Sequence, residues 1–85
     1  MKKIEYNGQK NVIGKRLREA RVAAGVSQGQ LAAKMQTLGI NIDQQMLSKI
    51  ERNQRIVTDY ELACFCVIFA VEEKALLKDF YDSAG

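Results

Sequence analysis

Two helix starts separated by one glycine break, between Ser27 and Arg55, are the feature that most limits how this chain can fold. Ser27 and Gln30 have the spacing of a capping box, in which each side chain bonds the other residue's backbone N–H. Gly39 interrupts the apolar-periodic segment that follows, and Asp43 is placed to cap a second helix. Apolar residues recur at helical spacing through the 85-residue chain, which contains no proline. The sequence therefore predicts one all-α domain, a compact bundle of five helices around this central two-helix unit.

The five helices are expected at about residues 11–24, 27–38, 44–52, 58–70 and 72–81, with Leu31, Met35 and Leu38 facing inward from the second and Leu47 and Ile50 from the third. A second capping box, Thr58 with Glu61, starts the fourth helix. Residues 1–10 contain three lysines and little periodicity, so we expect a flexible basic arm. Such an arm is either a frayed terminus or an extension that reaches into a groove. Residues 11–85 then form the folded domain.

The charge is divided unevenly between the two parts of the chain. Through residue 55 there are 11 basic and 4 acidic residues, and from residue 56 onward there are 2 basic and 6 acidic residues. A basic N-terminal part and an acidic C-terminal part are typical of a domain that binds a polyanion with one face. The chain has no histidine and only two cysteines, Cys64 and Cys66, so no zinc site or other cofactor is expected. No apolar run is long enough to cross a membrane, and unpaired thiols indicate a cytoplasmic protein.

The start of the third helix carries the residues that favour DNA recognition. A recognition helix places its first turn against base edges in the major groove, and glutamine can bond both N6 and N7 of adenine. Gln44 and Gln45 occupy that turn, and Lys49 follows one turn later. Gln28, in the first turn of the second helix, is placed to hold a phosphate. The remaining expected DNA contacts are Ser48, Arg52, Asn53 and Arg55.

These residues occur in an order that resembles a known family. The segment from Ile13 to Leu76 is similar to the Cro/C1-type, or XRE, helix-turn-helix regulators of bacteria and phages, whose domains are lambda-repressor-like. The matching residues are Ile13, Gly14, Leu17, Arg21, Val26–Gln28, Leu31, Ala32, Leu47–Arg52, Arg55, Glu61, Leu62, Phe69 and Val71. The resemblance implies a double-stranded DNA-binding transcription regulator, most often a repressor, in a bacterial or phage setting at the nucleoid. It also implies an ion pair between Arg21 and Glu51.

The chain departs from the family pattern in two places. Between Leu31 and Glu51 it is about five residues longer than usual, which predicts a longer second helix and turn. The fourth helix is apolar on nearly every face, which is typical of a helix buried on more than one side. We therefore expect a homodimer, with an interface formed by Cys64, Val67, Ile68, Leu77 and Phe80. The alternative is that the fifth helix simply covers the fourth.

Two other classes of function compete with a DNA-binding regulator. The same fold could serve as an antitoxin or an adaptor that binds a protein partner through its acidic, apolar C-terminal half. An enzyme is not expected, because the chain offers no nucleophile–base pair, metal cluster or glycine-rich phosphate loop. RNA binding is disfavoured because no aromatic platform for stacking bases is present.

Overall fold

Residues 5–84, the part of the chain that the computed structural model describes, contain six helices. They are α1 (Gly14–Ala23), α2 (Gln28–Thr37), α3 (Gln44–Glu51), α4 (Asp59–Phe69), α5 (Glu73–Leu76) and α6 (Lys78–Ala84). The all-α prediction is confirmed, and the number of helices is close to the expected five. The extra helix arises at Leu77, where the backbone leaves regular helix at φ −92° and ψ 7°. The break keeps Leu76 in the core while α6 turns toward α1.

The caps predicted for the three middle helices are all present. Ser27 accepts a bond from the Gln30 backbone N–H, while the Gln30 side chain accepts one from the Ser27 backbone, so both halves of the box exist. Thr58 and Glu61 form the same box before α4. The Asp43 carboxylate accepts a bond from the Met46 N–H at 2.8 Å and caps α3. These bonds satisfy backbone donors that the first turn of a helix leaves free.

Helix α1 begins three residues later than the expected start at Asn11. The Asn11 side-chain oxygen accepts bonds from the backbone N–H groups of Ile13 (3.0 Å) and Gly14 (3.1 Å). Asparagine in this position competes with helical bonding and closes a turn instead. Asn11 is therefore a capping residue that precedes α1 and does not belong to it.

The core lies between α1, α2, α3 and α4. Its fully buried large side chains are Leu17, Leu31, Met35, Ile42, Leu47, Ile50, Phe65 and Leu76. The expectation that Leu38 faces inward is wrong, because Leu38 is 45% exposed and Ile42 is 0% exposed. The cause is the chain reversal after α2, where Gly39 has φ +82° and the Ile40 N–H bonds the Met35 carbonyl. The connection then turns toward the core, where Ile42 is buried and Leu38 is not.

The N-terminal segment differs from the flexible arm that the sequence predicts. Tyr6 and Gln9 bond each other's backbones in a tight turn, with Asn7 and Gly8 in the left-handed region. The Tyr6 ring packs edge-to-face against Phe80 of α6, with ring centroids 5.2 Å apart. Residues 6–10 therefore fold back onto the domain, and residues 1–4 lie outside the described part of the chain.

Helix α4 has the mixed environment that its apolar sequence indicates. Phe65 and Cys66 are buried, Cys64 and Ile68 are half-buried, and Val67 is 70% exposed. Packing by α5 and the rest of the monomer therefore covers only part of the apolar surface of α4.

Within residues 5–84, neither α4 nor any other helix combines the length and apolar character needed to span a membrane.

Candidate nucleic-acid interface

Helix α3 has one buried face and one exposed face. Leu47 and Ile50 are completely buried, whereas Gln44, Gln45 and Lys49 are exposed to solvent. The glutamines occupy the first two positions after the Asp43 cap. Their amides therefore project from the leading turn, where a recognition helix makes its base contacts.

A network around Glu51 fixes α3 against α1 and α2. The Arg21 guanidinium donates two bonds to the Glu51 carboxylate, from Nε to Oε2 at 2.6 Å and from Nη2 to Oε1 at 3.0 Å. This forked pairing raises the pKa of Arg21, because the bond to Glu51 favours the charged guanidinium. Arg21 Nη1 also donates to the Val26 carbonyl at 3.0 Å, which ties down the chain just before α2.

Gln28 joins the same network. Its amide nitrogen donates to Glu51 Oε1 at 3.0 Å, and its side chain is half-buried. One of its two amide N–H groups is thus directed inward, whereas the sequence predicts that the side chain holds a phosphate. The residue connects the first turn of α2 to the last residue of α3, so it sets the relative position of the two helices.

The C-terminal end of α3 lies in close contact with the start of α1. A Cβ atom added to Gly14 would lie 2.6 Å from the Ile50 carbonyl oxygen and 2.7 Å from that of Glu51. Only glycine allows this approach. The Asn11 amide donates to the carbonyls of Ile50 (3.0 Å) and Arg55 (2.8 Å) and so holds both sides of the turn after α3.

Two of the expected DNA contacts have internal partners instead. Asn53 adopts the left-handed conformation (φ 61°) that ends α3, and its amide donates to the Asn11 carbonyl oxygen at 2.8 Å. The Arg55 guanidinium donates to both oxygens of Glu61, at 3.1 and 3.3 Å. Glu61 is buried and also accepts from the Thr58 N–H, so Arg55 compensates a buried charge. Both side chains thus have bonding partners within the fold, and their contact with DNA stays a prediction.

A polar depression of about 230 Å³ opens where α1, α2 and α3 meet, and its lining includes Arg18, Gln28, Ser48 and Arg52. Arg18 and Arg52 are exposed, and Arg52 Nε donates back to the Ser48 carbonyl at 3.2 Å. Sequence reasoning did not single out Arg18. Its position three residues before Arg21 on α1 was the available signal, since residues at that spacing share a helix face.

The residues expected at a dimer interface are not equally available. Val67 is largely exposed, and Cys64, Ile68 and Leu77 are half-buried. Phe80 contacts Tyr6 and Tyr81, with ring centroids 5.2 and 5.8 Å apart, respectively. The N-terminal turn of the same chain therefore covers Phe80, one of the expected interface residues.

Comparison with known proteins agrees with this geometry. The family model described as helix-turn-helix matches residues 17–63, which contain α2, α3 and the Arg21–Glu51 pair. The chain belongs to the Cro/C1-type helix-turn-helix family. The crystal structure of the restriction-modification controller protein C.AhdI from Aeromonas hydrophila is similar, with 33% sequence identity and a TM-score of 0.64. The match covers 75% of this chain and 86% of that protein. No curated protein sequence matches the chain.

Membership of the Cro/C1-type family identifies the chain as a DNA-binding transcription regulator. The α2–α3 unit is its helix-turn-helix. Six residues, 38–43, separate the two helices, and they include the buried Ile42. In this Cro/C1-type protein, a core residue thus anchors the long connection that the sequence indicates.

Proposed function

We propose that the chain is a sequence-specific regulator that inserts α3 into the major groove of double-stranded DNA and represses the genes beside its operator. The exposed pair Gln44 and Gln45 at the capped start of α3 is the observation that carries this proposal. Each amide can donate to and accept from one adenine, and such a bidentate pair discriminates between bases by about 1–3 kcal/mol. The Glu51 network supports the proposal because it fixes the C-terminal end of α3 against α1 and α2.

The proposed footprint extends from the base contacts to the flanking phosphates. Lys49 lies one turn beyond the glutamines, and Ser48 and Arg52 line the polar depression beside them. Gln28 contributes through its backbone N–H in the first turn of α2, where phosphates bind helices favourably. The backbone contacts would set the register of the protein, while the glutamines would choose the sequence.

A selection from randomised duplex DNA tests the proposal. The wild-type protein should enrich a defined motif, and Gln44→Ala and Gln45→Ala should each weaken the preference at one position of it. Gln9→Ala, which removes an exposed glutamine outside α3, is the matched control and should retain the motif. If only salt-sensitive bulk affinity remains and no motif appears, the partner-binding alternative, an antitoxin or adaptor, becomes the better account.

We further propose that the regulator binds as a homodimer through α4 and α5. Val67 leaves an apolar side chain largely exposed on α4, and Cys64, Ile68 and Leu77 extend that surface. A two-fold dimer presents two recognition helices to half-sites about 34 Å apart. The enriched motif should then be two-fold symmetric.

A more specific role follows from the similarity to a restriction-modification controller. We propose that this chain controls gene expression in a system of that kind. A reporter gene placed behind the DNA upstream of a neighbouring restriction or methyltransferase gene tests this role. Expression should fall when the regulator is supplied, and it should recover with Gln44→Ala. A reporter that does not respond would contradict this role without affecting the DNA-binding proposal.

A further inference from the structure

A cleft lies beside the exposed side of α3, where the N-terminal segment meets the loop between α3 and α4. Its volume is about 450 Å³, and its lining includes Lys10, Met46, Lys49 and Ile56. Lys10 and Lys49 are 39 positions apart in the sequence, yet both border this cleft. The fold therefore brings a lysine of the expected flexible arm next to a lysine of the recognition helix.

The position of Lys10 is set by its backbone. Its N–H donates to the Asn53 carbonyl at 3.0 Å. The next residue, Asn11, bonds the carbonyls of Ile50 and Arg55, so the chain on both sides of the α3 C-terminus is connected to Lys10. A lysine on a free arm would lose conformational entropy when it binds a phosphate. Lys10 avoids most of the backbone part of that loss because its attachment point is already ordered.

The charges around the cleft are unbalanced. Arg55 also lines it, but the guanidinium of Arg55 is paired with the Glu61 carboxylate. The ion pairs found in residues 5–84 include neither Lys10 nor Lys49. Among the described residues that line the cleft none is acidic, so its two lysines give it a positive charge that attracts an anion. The cleft is thus an attractive position for a phosphate.

We propose that Lys10 is a DNA-backbone contact that acts with Lys49 at the edge of the recognition helix. This inference rests on the proposed function, because α3 must lie in the groove for the cleft to meet the sugar–phosphate backbone. Met46 and Ile56 form the apolar part of the cleft beside the two lysines. The ligand is a phosphodiester of the operator strand that borders the base contacts of Gln44 and Gln45. Lys10 sets affinity and register, and it does not read sequence.

Salt-dependent binding tests this role. The variant is Lys10→Gln, and the matched control is Lys34→Gln, which removes an exposed lysine on α2. Each neutralised phosphate contributes about 0.9 to the slope of log Kobs against log salt concentration. Lys10→Gln should reduce the slope by about that amount and weaken binding equally for matched and mismatched sequences. Lys34→Gln should leave the slope unchanged.

The outcomes separate this inference from the proposed function. If Lys10→Gln has the wild-type slope while Gln44→Ala still loses base preference, Lys10 is not a backbone contact and the proposed function stands. If no variant shows base preference but Lys10→Gln reduces the slope on random duplex DNA, the backbone contact stands and sequence reading fails. A pocket for free anions is distinguished by adding inorganic phosphate at constant ionic strength. Phosphate binding that depends on Lys10 but does not compete with DNA would overturn the assignment to the DNA backbone.

Discussion

Glu51, the last residue of α3, receives a forked pair of hydrogen bonds from Arg21 of α1, at 2.6 and 3.0 Å. The Glu51 side chain is only 4% exposed, so its charge depends on Arg21 and on the amide of Gln28. A single carboxylate therefore joins α1, α2 and α3. The position of Gln44 and Gln45 at the other end of α3, which we propose read bases, depends on this contact.

Removing Arg21 should destabilise the domain strongly. Arg21→Ala leaves the Glu51 carboxylate buried with one amide partner, and an uncompensated buried charge lowers the free energy of unfolding by about 3–5 kcal/mol. Urea denaturation at pH 7 measures the loss. The double variant Arg21→Met with Glu51→Leu removes both charges and should recover most of the stability. If the double variant is as unstable as Arg21→Ala, the uncompensated charge of Glu51 is not the main cause of the loss.

Substitution by alanine should lower the free energy of unfolding at Gly14 and raise it at Gly29. In Gly14→Ala the new Cβ would meet two carbonyl oxygens at 2.6 and 2.7 Å, so α1 must separate from the end of α3. Overpacking of this kind lowers the free energy of unfolding by about 1–3 kcal/mol. In Gly29→Ala the new Cβ has only ordinary contacts, the nearest at 3.6 Å, and alanine is the better helix former by about 1 kcal/mol.

Thermal denaturation of the two alanine variants side by side checks this contrast. Gly29 lies in the first turn of α2, so its variant also controls for the general effect of adding a methyl group to a helix. A Gly14→Ala protein as stable as the wild type would show that the α1–α3 contact relaxes freely. That result would remove close backbone approach as the reason for glycine at this position.

Val67 should govern association without governing folding. The side chain is 70% exposed, so Val67→Glu should change the free energy of unfolding of the monomer by less than about 0.5 kcal/mol. The added carboxylates would face each other across the proposed two-fold interface, and the dimer should dissociate. Sedimentation velocity over a range of concentrations measures this effect. Val22→Glu, at a site 61% exposed on α1, is the control and should retain the wild-type association state.

The contact between α6 and α1 should make stability depend on acid pH. Asp79 accepts two bonds from the Arg16 guanidinium, at 3.0 and 2.8 Å, and the bonding to Arg16 lowers the pKa of Asp79. A lowered pKa in the folded state contributes stability above the ordinary aspartate value of about 3.9, and that contribution disappears as pH falls through the folded pKa. Wild type should therefore exceed Asp79→Asn in stability at pH 7, and the difference should shrink by pH 3.

Unfolding midpoints in urea at pH 7 and pH 3 check the acid dependence. Arg16→Gln should show the same pH-dependent loss, since it removes the other half of the contact. The exposed position of the pair keeps the effect small, because solvent and salt screen it. A difference between wild type and Asp79→Asn that is equal at both pH values would contradict the assigned cause.

Local rules predicted where α2, α3 and α4 begin. Ser27, Asp43 and Thr58 each cap a helix through a bond to a residue three positions away, so the information lies within one turn of chain. The exposed glutamines of α3 follow from the same periodicity that buries Leu47 and Ile50. The amino-acid order thus specified the helix-turn-helix and the face that it presents.

The tertiary structure decided which polar residues remain free. Asn53 and Arg55 look like DNA contacts in the sequence, but Asn11 and Glu61 occupy their side chains in the fold. Lys10 belongs to an apparent arm, yet one backbone bond places it beside α3. Each of these outcomes depends on a partner that is distant in the sequence or on which of several nearby acceptors the side chain bonds. A polar side chain that bonds within the protein is less available for DNA, and only packing brings such partners together.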